Sequence, residues 1–293
     1  MTIPTCATWN QIGVTSGGNQ NGTLGADLGS LSSPVSLFVD NNNILYIADR
    51  DNNRILKYNA NSSIGILVAG NGTAGNDPSE LNGVKGVAID QSGAIIVADS
   101  NNYRIQKFLP NSTVGITLAS NTSTNPLGQM RDLHIDVNNN IYVTDSDNNQ
   151  VAKYIPYSSI GAVVAGGGAS GSATNQLYNP FGNFMDSNGT LYVADDGNQR
   201  VLKYLSGSLN GILVAGSGTA GSSLSQLSSP NSIIVDNNGY VNIHLLNWRE
   251  PRVLFISKLK VRVLFEDERK IQHSLFRRYF KSIFFLLQIY LRG

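Results

Sequence analysis

The stretch LYIADRDNNRILKY at residues 45–58 determines the fold, because close relatives of it recur along the chain. They read IIVADSNNYRIQKF at 95–108, IYVTDSDNNQVAKY at 141–154 and LYVADDGNQRVLKY at 191–204. The four stretches begin 50, 46 and 50 positions apart. Self-similarity at such a period is typical of solenoids and propellers, so the repeat has to be interpreted before any other feature.

Each repeat contains four short apolar runs separated by polar turns. In the first unit these are SLFVD, which ends at Asp40, then LYIAD, RILKY and IGILVAG. The turns are rich in Asn and Gly, which tolerate the positive φ that hairpins need. Four β-rich runs joined by turns predict a four-stranded antiparallel meander. Such a unit is the size of one propeller blade, and it has to stack on neighbours to bury both faces.

The repeated motif resembles the NHL repeat over residues 31–236. The third unit departs from the motif, with Met130 for Pro, Asp132 for Gly and Gln150 for Arg. The resemblance implies a β-propeller of four-stranded blades. It is carried in the first unit by Pro34, Asp40, Asp49, Asn53, Arg54 and Ile55, and in the fourth by Pro180, Gly182, Asp186, Gly189, Asp195, Asn198, Arg200 and Val201.

The predicted fold is therefore all-β, with a propeller at residues 1–256 that forms an incomplete ring. The predicted elements are four complete blades at 35–69, 84–119, 131–165 and 181–215, a partial fifth at 231–256, and a latch strand at 7–16 that pairs beside the last blade. The fifth unit is expected to be damaged because NIHL at 242–245 replaces the YVAD motif. Alternation within the repeats predicts burial between blades for Val39, Ile47, Ala48, Ile55, Val87, Ile96, Val143, Val193 and Val201.

Residues 257–293 form a basic, Phe-rich tail that is expected to be helical or poorly ordered and to lie outside the propeller. Residues 1–248 carry 10 Lys and Arg against 16 Asp and Glu, whereas residues 249–293 carry 11 against 4. The apolar run at 283–291 is too short to span a bilayer. Three interpretations stay open: an aberrant end, a helix that docks on a partner or a membrane surface, and a divergent blade.

Paired Asp and Arg side chains recur in three units, which favours a structural role over a catalytic one. Carboxylates cap turns, and Arg forms forked hydrogen bonds with carboxylates. Asp49, Asp51 and Asn53 resemble the start of a calcium loop, but the Gly and Glu of an EF-hand do not follow. The structural pairs are Asp49 with Arg54, Asp99 with Arg104, and Asp195 with Arg200.

The remaining motifs predict neither a metal, nor a cofactor, nor an enzyme. His134, His244 and His273 occupy unrelated repeat positions and do not form a recognisable zinc set. No P-loop or hydrolase motif occurs. Nucleic acid is an improbable partner, because phosphate binding needs clustered Lys and Arg and the propeller part is acidic.

Six sequons favour a secretory origin over a cytoplasmic one, although no signal peptide is visible and a fragment is one interpretation of the chain. All six lie in predicted turns or loops, as acceptors of glycans do. These glycosylation candidates are Asn21, Asn61, Asn71, Asn111, Asn121 and Asn188.

The predicted function is non-catalytic recognition of a protein, peptide or glycan at one face of the propeller, where loops cluster. The first residues of the inner strands are expected to border an open channel mouth there. One alternative is a propeller lyase or hydrolase with a channel metal. Another is the substrate-binding half of a ubiquitin-ligase-type NHL protein that lacks its RING. The candidate ligand-face residues are Ser36, Gly86, Asp132, Gly182 and Ser232.

Overall fold

The structure, a computed structural model, describes residues 15–223, 225–236, 239, 241–245, 252–256 and 261–265. These residues form five four-stranded antiparallel sheets, and in each sheet the strands are neighbours in chain order. Each sheet is one blade of the predicted kind. The all-β fold built from propeller blades is thereby confirmed.

The strands of the five blades have the following bounds. Blade 1 contains β1 (Pro34–Val39), β2 (Leu45–Asp49), β3 (Arg54–Tyr58) and β4 (Ile66–Ala69), and blade 2 contains β5 (Val84–Ile89), β6 (Ile95–Asp99), β7 (Arg104–Phe108) and β8 (Gly115–Ser120). Blade 3 contains β9 (Met130–Ile135), β10 (Ile141–Asp145), β11 (Gln150–Tyr154) and β12 (Ala162–Gly166). Blade 4 contains β13 (Asn183–Met185), β14 (Leu191–Asp195), β15 (Arg200–Tyr204) and β16 (Ile212–Ala215), and blade 5 contains β17 (Pro230–Val235), β18 (Val241–Leu245), β19 (Arg252–Ile256) and β20 (Val261–Phe265).

The Asp that ends each first apolar run caps the first hairpin of its blade. Asp40 Oδ1 accepts hydrogen bonds from the backbone N–H groups of Asn42 and Ile44 at 2.8 and 2.9 Å. Asp90 repeats the arrangement in blade 2, and the turn there is completed by Gly93 with a φ of +80°. Such side-chain capping explains why the same Asp returns in each unit.

The core lies between adjacent blades. Ala48 and Ile55 of blade 1 belong to one buried cluster with Val87 and Val97 of blade 2. Equivalent clusters join blades 2 and 3, 3 and 4, and 4 and 5. The predicted inter-blade residues are buried, with two differences in blade 1. Val39 is half-buried, and it lies with Ile47 in a cluster on the other flank of blade 1, because neighbouring strand residues face opposite sides.

The inner strands stand side by side along the series of blades. β1 packs beside β5, β5 beside β9, β9 beside β13, and β13 beside β17. Among the described residues, β17 and β1 make no comparable contact. Side-by-side packing of the inner strands is therefore described from blade 1 to blade 5, and not between blades 5 and 1.

Blade 5 extends further than the partial unit expected from the sequence. β18 occupies the place of the missing YVAD motif, and β19 pairs with β20 in the register Arg252↔Phe265 to Ile256↔Val261. β20 lies within the segment that was assigned to the tail, so the boundary at residue 256 is corrected. β18 itself forms because Val241, Ile243 and Leu245 keep the apolar alternation that packs it against blade 4, although the motif is lost.

Two further expectations fall mainly on residues that the structure does not describe. Residues 7–14 of the predicted latch strand lie outside the described part of the chain. Residues 257–260 and 266–293 of the predicted tail lie outside it as well. No helix within the described residues has the length and apolar character needed to cross a membrane.

Candidate functional site

The Asp and Arg of blade 2 form a buried ion pair at the turn between its second and third strands. Arg104 Nε lies 2.7 Å from Asp99 Oδ2, and Asn102 Nδ2 donates to the same oxygen at 2.8 Å. The backbone N–H of Asn82 donates to Asp99 Oδ1 at 2.7 Å. Asp99 has no solvent exposure and Arg104 only 7 %. Both carboxylate oxygens therefore accept hydrogen bonds within the protein.

The guanidinium of Arg104 also fixes the loop that enters blade 2. Nη1 donates to the carbonyl oxygen of Asn76 at 2.7 Å, and Nη2 donates to those of Asp77 and Glu80 at 3.1 and 2.9 Å. The equivalent bonds hold the loops that enter blades 1 and 4. They are made by Arg54 to Ala26, Asp27 and Ser30, and by Arg200 to Ser172, Ala173 and Gln176. We call this Asp–Asn–Arg arrangement the loop lock.

The loop lock explains why these carboxylates have a structural role. Burial raises the pKa of Asp99, while hydrogen bonds from Asn102, Asn82 and Arg104 oppose the rise. A catalytic base or metal ligand needs a free lone pair directed at its substrate or metal, and the hydrogen bonds of the lock occupy these oxygens. The same holds for Asp49, whose carboxylate accepts from Ser32, Asn52 and Arg54.

Blade 3 lacks the loop lock. Gln150 stands where the other blades have Arg, and the carboxylate of Asp145 accepts from Gly128 N–H and from Asn148 Nδ2 instead. The calcium-like spacing in blade 1 is also accounted for, because Asp51 pairs with Arg50 at 2.8 Å. Within the described ranges, no group of three or more His, Cys, Asp or Glu is placed to hold a metal ion.

The two described histidines lie on different blades, as their unrelated repeat positions implied. His134 is on β9, where its ring centroid lies 5.0 Å from that of Phe184, and burial lowers its pKa to about 4. His244 is on β18, and burial lowers its pKa as well. Both rings are therefore neutral at physiological pH. His273 lies outside the described residues.

The inter-blade loops and the turns between second and third strands meet at one face. The backbone N–H of Asn101 donates to Asn82 O, which joins the turn of blade 2 to the loop that enters that blade. The tips of the inter-blade loops are exposed. We call the five exposed tips the loop face; they are residues 21–24, 71–74, 121–124, 167–170 and 217–220. The hairpin turns, such as 41–43 and 91–93, lie at the opposite face.

Three of the candidate ligand-face residues serve close packing between blades. Gly86, Gly182 and Ser232 are buried, whereas Ser36 and Asp132 are half-buried. A Cβ on Gly86 would lie 2.8 Å from Leu133 N, and a Cβ on Gly182 would lie 2.5 Å from Asn231 O. The absence of a side chain at these glycines therefore lets neighbouring inner strands approach each other. This corrects the expectation that they open the channel mouth.

Asp132 is the candidate with unusual electrostatics. Its Oδ1 accepts from the N–H of Leu133 at 2.9 Å, and its Oδ2 lies 3.4 Å from the N–H of Asn183. Burial raises its pKa to about 7, above the value of 3.8 for a free Asp. These two backbone donors compensate only part of the lost hydration.

Asp132 makes stability depend on pH in a predictable direction. Between pH 4 and 7 the unfolded chain releases this proton while the folded chain retains it, so stability falls as pH rises. We expect the Asp132→Asn variant to melt at the same temperature as the parent near pH 4, and about 2 °C or more above it at pH 7.5. Thermal unfolding at both pH values measures this. Asp77→Asn, a change in an exposed loop, is the matched control, and equal pH profiles for parent and Asp132→Asn would contradict the assignment.

The roles of two sets of residues in these networks were missed from the sequence. Asn52, Asn102 and Asn198 complete the loop locks. Only Asn198 was noted, as part of the repeated motif, although all three stand three positions after the repeated Asp. Asn183 and Thr144 lie beside Asp132. Their signal is polarity: Asn183 stands where the other four units have an apolar residue, and Thr144 stands where blades 1, 2 and 4 have Ala.

The six sequon asparagines are all exposed, and they divide between the two faces. Asn21, Asn71 and Asn121 are on the loop face. The other three are in hairpin turns at the opposite face, namely Asn61, Asn111 and Asn188. Their use as glycosylation sites stays a prediction.

Comparisons with known proteins agree with this architecture. Residues 81–108 match the family model of the NHL repeat. A catalytically inactive variant of virginiamycin B lyase from Staphylococcus aureus, solved with quinupristin, superposes with a TM-score of 0.56 at 11% identity, over 81% of this chain and 71% of that chain. A streptogramin B lyase superposes with a TM-score of 0.53 at 13% identity, over 83% and 70% of the two chains. A comparison with curated protein sequences gave no match. The chain therefore contains an NHL repeat at residues 81–108 and shares its fold with β-propeller proteins.

Proposed function

We propose that this chain is a non-catalytic recognition scaffold that binds a protein, peptide or glycan through its loop face. The observation that carries the proposal is the loop lock. In blades 1, 2 and 4 one Arg side chain donates to three carbonyl groups of the loop that enters the blade. Loops that are fixed before binding lose less conformational entropy when a ligand docks.

The chemistry of the loop face supports recognition by hydrogen bonding. Its tips read NGTL, NGTA, NTST, GGAS and SGTA, and none of them carries a charge. Ser, Gly and Asn supply adaptable hydrogen bonds in other binding loops. The acidic character of residues 1–248, with 10 Lys and Arg against 16 Asp and Glu, favours proteins, peptides and glycans over nucleic acid.

A selection experiment with matched surface variants tests the proposal. The full chain is used as bait for a phage-displayed peptide library and for a glycan array. Ala74→Lys and Ala169→Lys alter the loop face, while Asn138→Lys alters an exposed hairpin turn of the opposite face. We expect ligands whose affinity falls at least tenfold with one of the loop-face changes and stays within twofold with Asn138→Lys. Ligands that are insensitive to both loop-face changes, or no enriched ligand at all, would refute the proposal.

The same preparation distinguishes the alternatives. A lyase or hydrolase with a channel metal requires a stoichiometric metal ion, which elemental analysis of the purified chain measures directly. The substrate-binding half of a ubiquitin-ligase-type protein is a special case of protein recognition. The peptide selection therefore covers it, and the selected sequences would identify the recognised segment.

A further inference from the structure

The interface between blades 3 and 4 is polar at three positions of the first and second strands where the other described interfaces are apolar or small. One residue of each first strand pairs with the central residue of the second strand. It is Asn183 in blade 4, whereas blades 1, 2, 3 and 5 have the apolar residues Leu37, Val87, Leu133 and Ile233. In blade 3, Asp132 pairs with Thr144, whereas the corresponding pair in blade 1 is Ser36 with Ala48. All three polar departures face the interface between blades 3 and 4.

The three side chains form one connected cluster. Asn183 Nδ2 donates to Thr144 Oγ1 at 2.9 Å and to the carbonyl oxygen of Tyr142 at 3.4 Å. The backbone N–H of Asn183 lies 3.4 Å from Asp132 Oδ2. Asn183 is only 4 % exposed, and Asp132 is half-buried. The cluster therefore extends from the interior of the interface to the half-buried residue Asp132.

The cluster has more hydrogen-bond acceptors than donors. Asn183 Oδ1 is buried and has no hydrogen-bond partner among the described residues. The donation by Nδ2 to a carbonyl oxygen fixes the amide orientation, because Oδ1 could not replace Nδ2 there. Asp132 accepts from two backbone N–H groups, and no cation contacts it within the described part of the chain. Unpartnered buried acceptors are costly, so a donor-bearing ligand would be stabilising.

The neighbouring basic groups are directed elsewhere or uncharged. Arg131 lies over the ring of Phe181, 5.2 Å from its centroid, and its Nε donates to Ser146 Oγ at 3.2 Å. His134 is neutral because burial lowers its pKa to about 4. Neither side chain neutralises Asp132. Above pH 7, where Asp132 loses its proton, a cation that pairs with it would therefore come from a ligand.

We propose that the Asp132–Asn183 cluster binds a guanidinium group, supplied by an arginine side chain of a peptide that docks on the propeller. A guanidinium carries five N–H donors in a planar fork and forms strong charge-assisted hydrogen bonds with carboxylates. An ammonium group lacks this geometry. The net negative charge of residues 1–248 attracts cations in general, and the cluster adds the local acceptors. This inference rests on the proposed function, since it names the chemical class that the recognition site would select.

Binding of L-arginine amide to the full chain, measured by isothermal titration at pH 8, tests the inference. The uncharged analogue L-citrulline amide serves as the reference probe. We expect arginine amide to bind at least tenfold more tightly than citrulline amide. We expect Asp132→Asn to weaken it at least tenfold, and Asn183→Leu, which restores the apolar residue of the other units, to weaken it severalfold while the melting temperature is kept. Asp77→Asn, which removes one surface charge away from the cluster, should stay within twofold.

Three results of the titration would overturn the inference. The two amides could bind equally, Asp132→Asn and Asp77→Asn could lose equal affinity for arginine amide, or arginine amide could fail to bind, which would mean that the cluster holds only water. Its failure can be told apart from failure of the proposed function. If selected peptides bind the loop face without any need for arginine, the inference fails and the proposed function stands. If arginine amide binds at Asp132 but no peptide or glycan is selected, the site stands and the proposed function fails.

Discussion

Replacing Val193 by Asp should abolish the cooperative unfolding of the propeller. Val193 is at the centre of β14, has no solvent exposure and belongs to the buried cluster between blades 3 and 4, together with Val151 and Leu202. The residues of that cluster are hydrophobic, so the new carboxylate would be buried among groups that carry no compensating charge. The cost, about 5 kcal/mol or more, is comparable with the whole free energy of unfolding of many domains.

Urea unfolding followed by far-UV circular dichroism measures this effect. Val163→Asp is the matched control, because Val163 lies on the outer strand β12 of blade 3 and is 40% exposed. That control should lose about 1 kcal/mol or less, since it combines a surface site with a modest loss of β-propensity. A Val193→Asp variant with the same cooperative transition as the control would contradict the packing of blade 4 against blade 3.

The blades were predictable from the sequence because their stabilising pattern is local and repeated. Alternating apolar residues, Asn- and Gly-rich turns and the capping Asp return in four units, so each unit supported the interpretation of the others. Blade 5 was underestimated because its motif residues were weighed above its alternation. Val241, Ile243 and Leu245 still bury one face of β18, and burial, rather than the identity of the motif, decides whether a strand packs.

The candidate site was less predictable, because its features depend on contacts between distant segments. From the sequence Gly86 was expected to open the channel mouth, but the backbone of blade 3 lies so close to it that a Cβ would be 2.8 Å from Leu133 N. Asn183 is recognised as a polar exception only when the first strands of the five blades are aligned by their pairing register. Asp132 was noticed as a departure from the repeat, yet its partner is about 50 residues away in the chain. A repeat alignment by strand register would have found both.

Replacing Arg104 by Ala should lower the free energy of unfolding by about 3–5 kcal/mol. The change removes the ion pair with Asp99 and leaves a buried carboxylate without its cation. It also removes three hydrogen bonds to the loop that enters blade 2. Arg104→Lys should recover only part of the loss, because one ammonium group cannot reproduce the planar fork of the guanidinium.

Blade 3 supplies the matched control for the loop lock. Gln150 occupies the position of the lock Arg, and its side chain is buried to a similar degree, 7 % exposed in both residues. Gln150→Ala should therefore cost about 1 kcal/mol, which is typical of a point substitution without an ion pair. Urea unfolding of the three variants gives the comparison, and hydrogen exchange at residues 75–81 shows whether the loop opens when the lock is removed. Arg104→Ala and Gln150→Ala could lower the free energy of unfolding equally, or the exchange rate in the loop could stay unchanged. Either result would mean that other contacts hold the loop. The loop lock would then not explain the rigidity on which the proposed recognition surface depends.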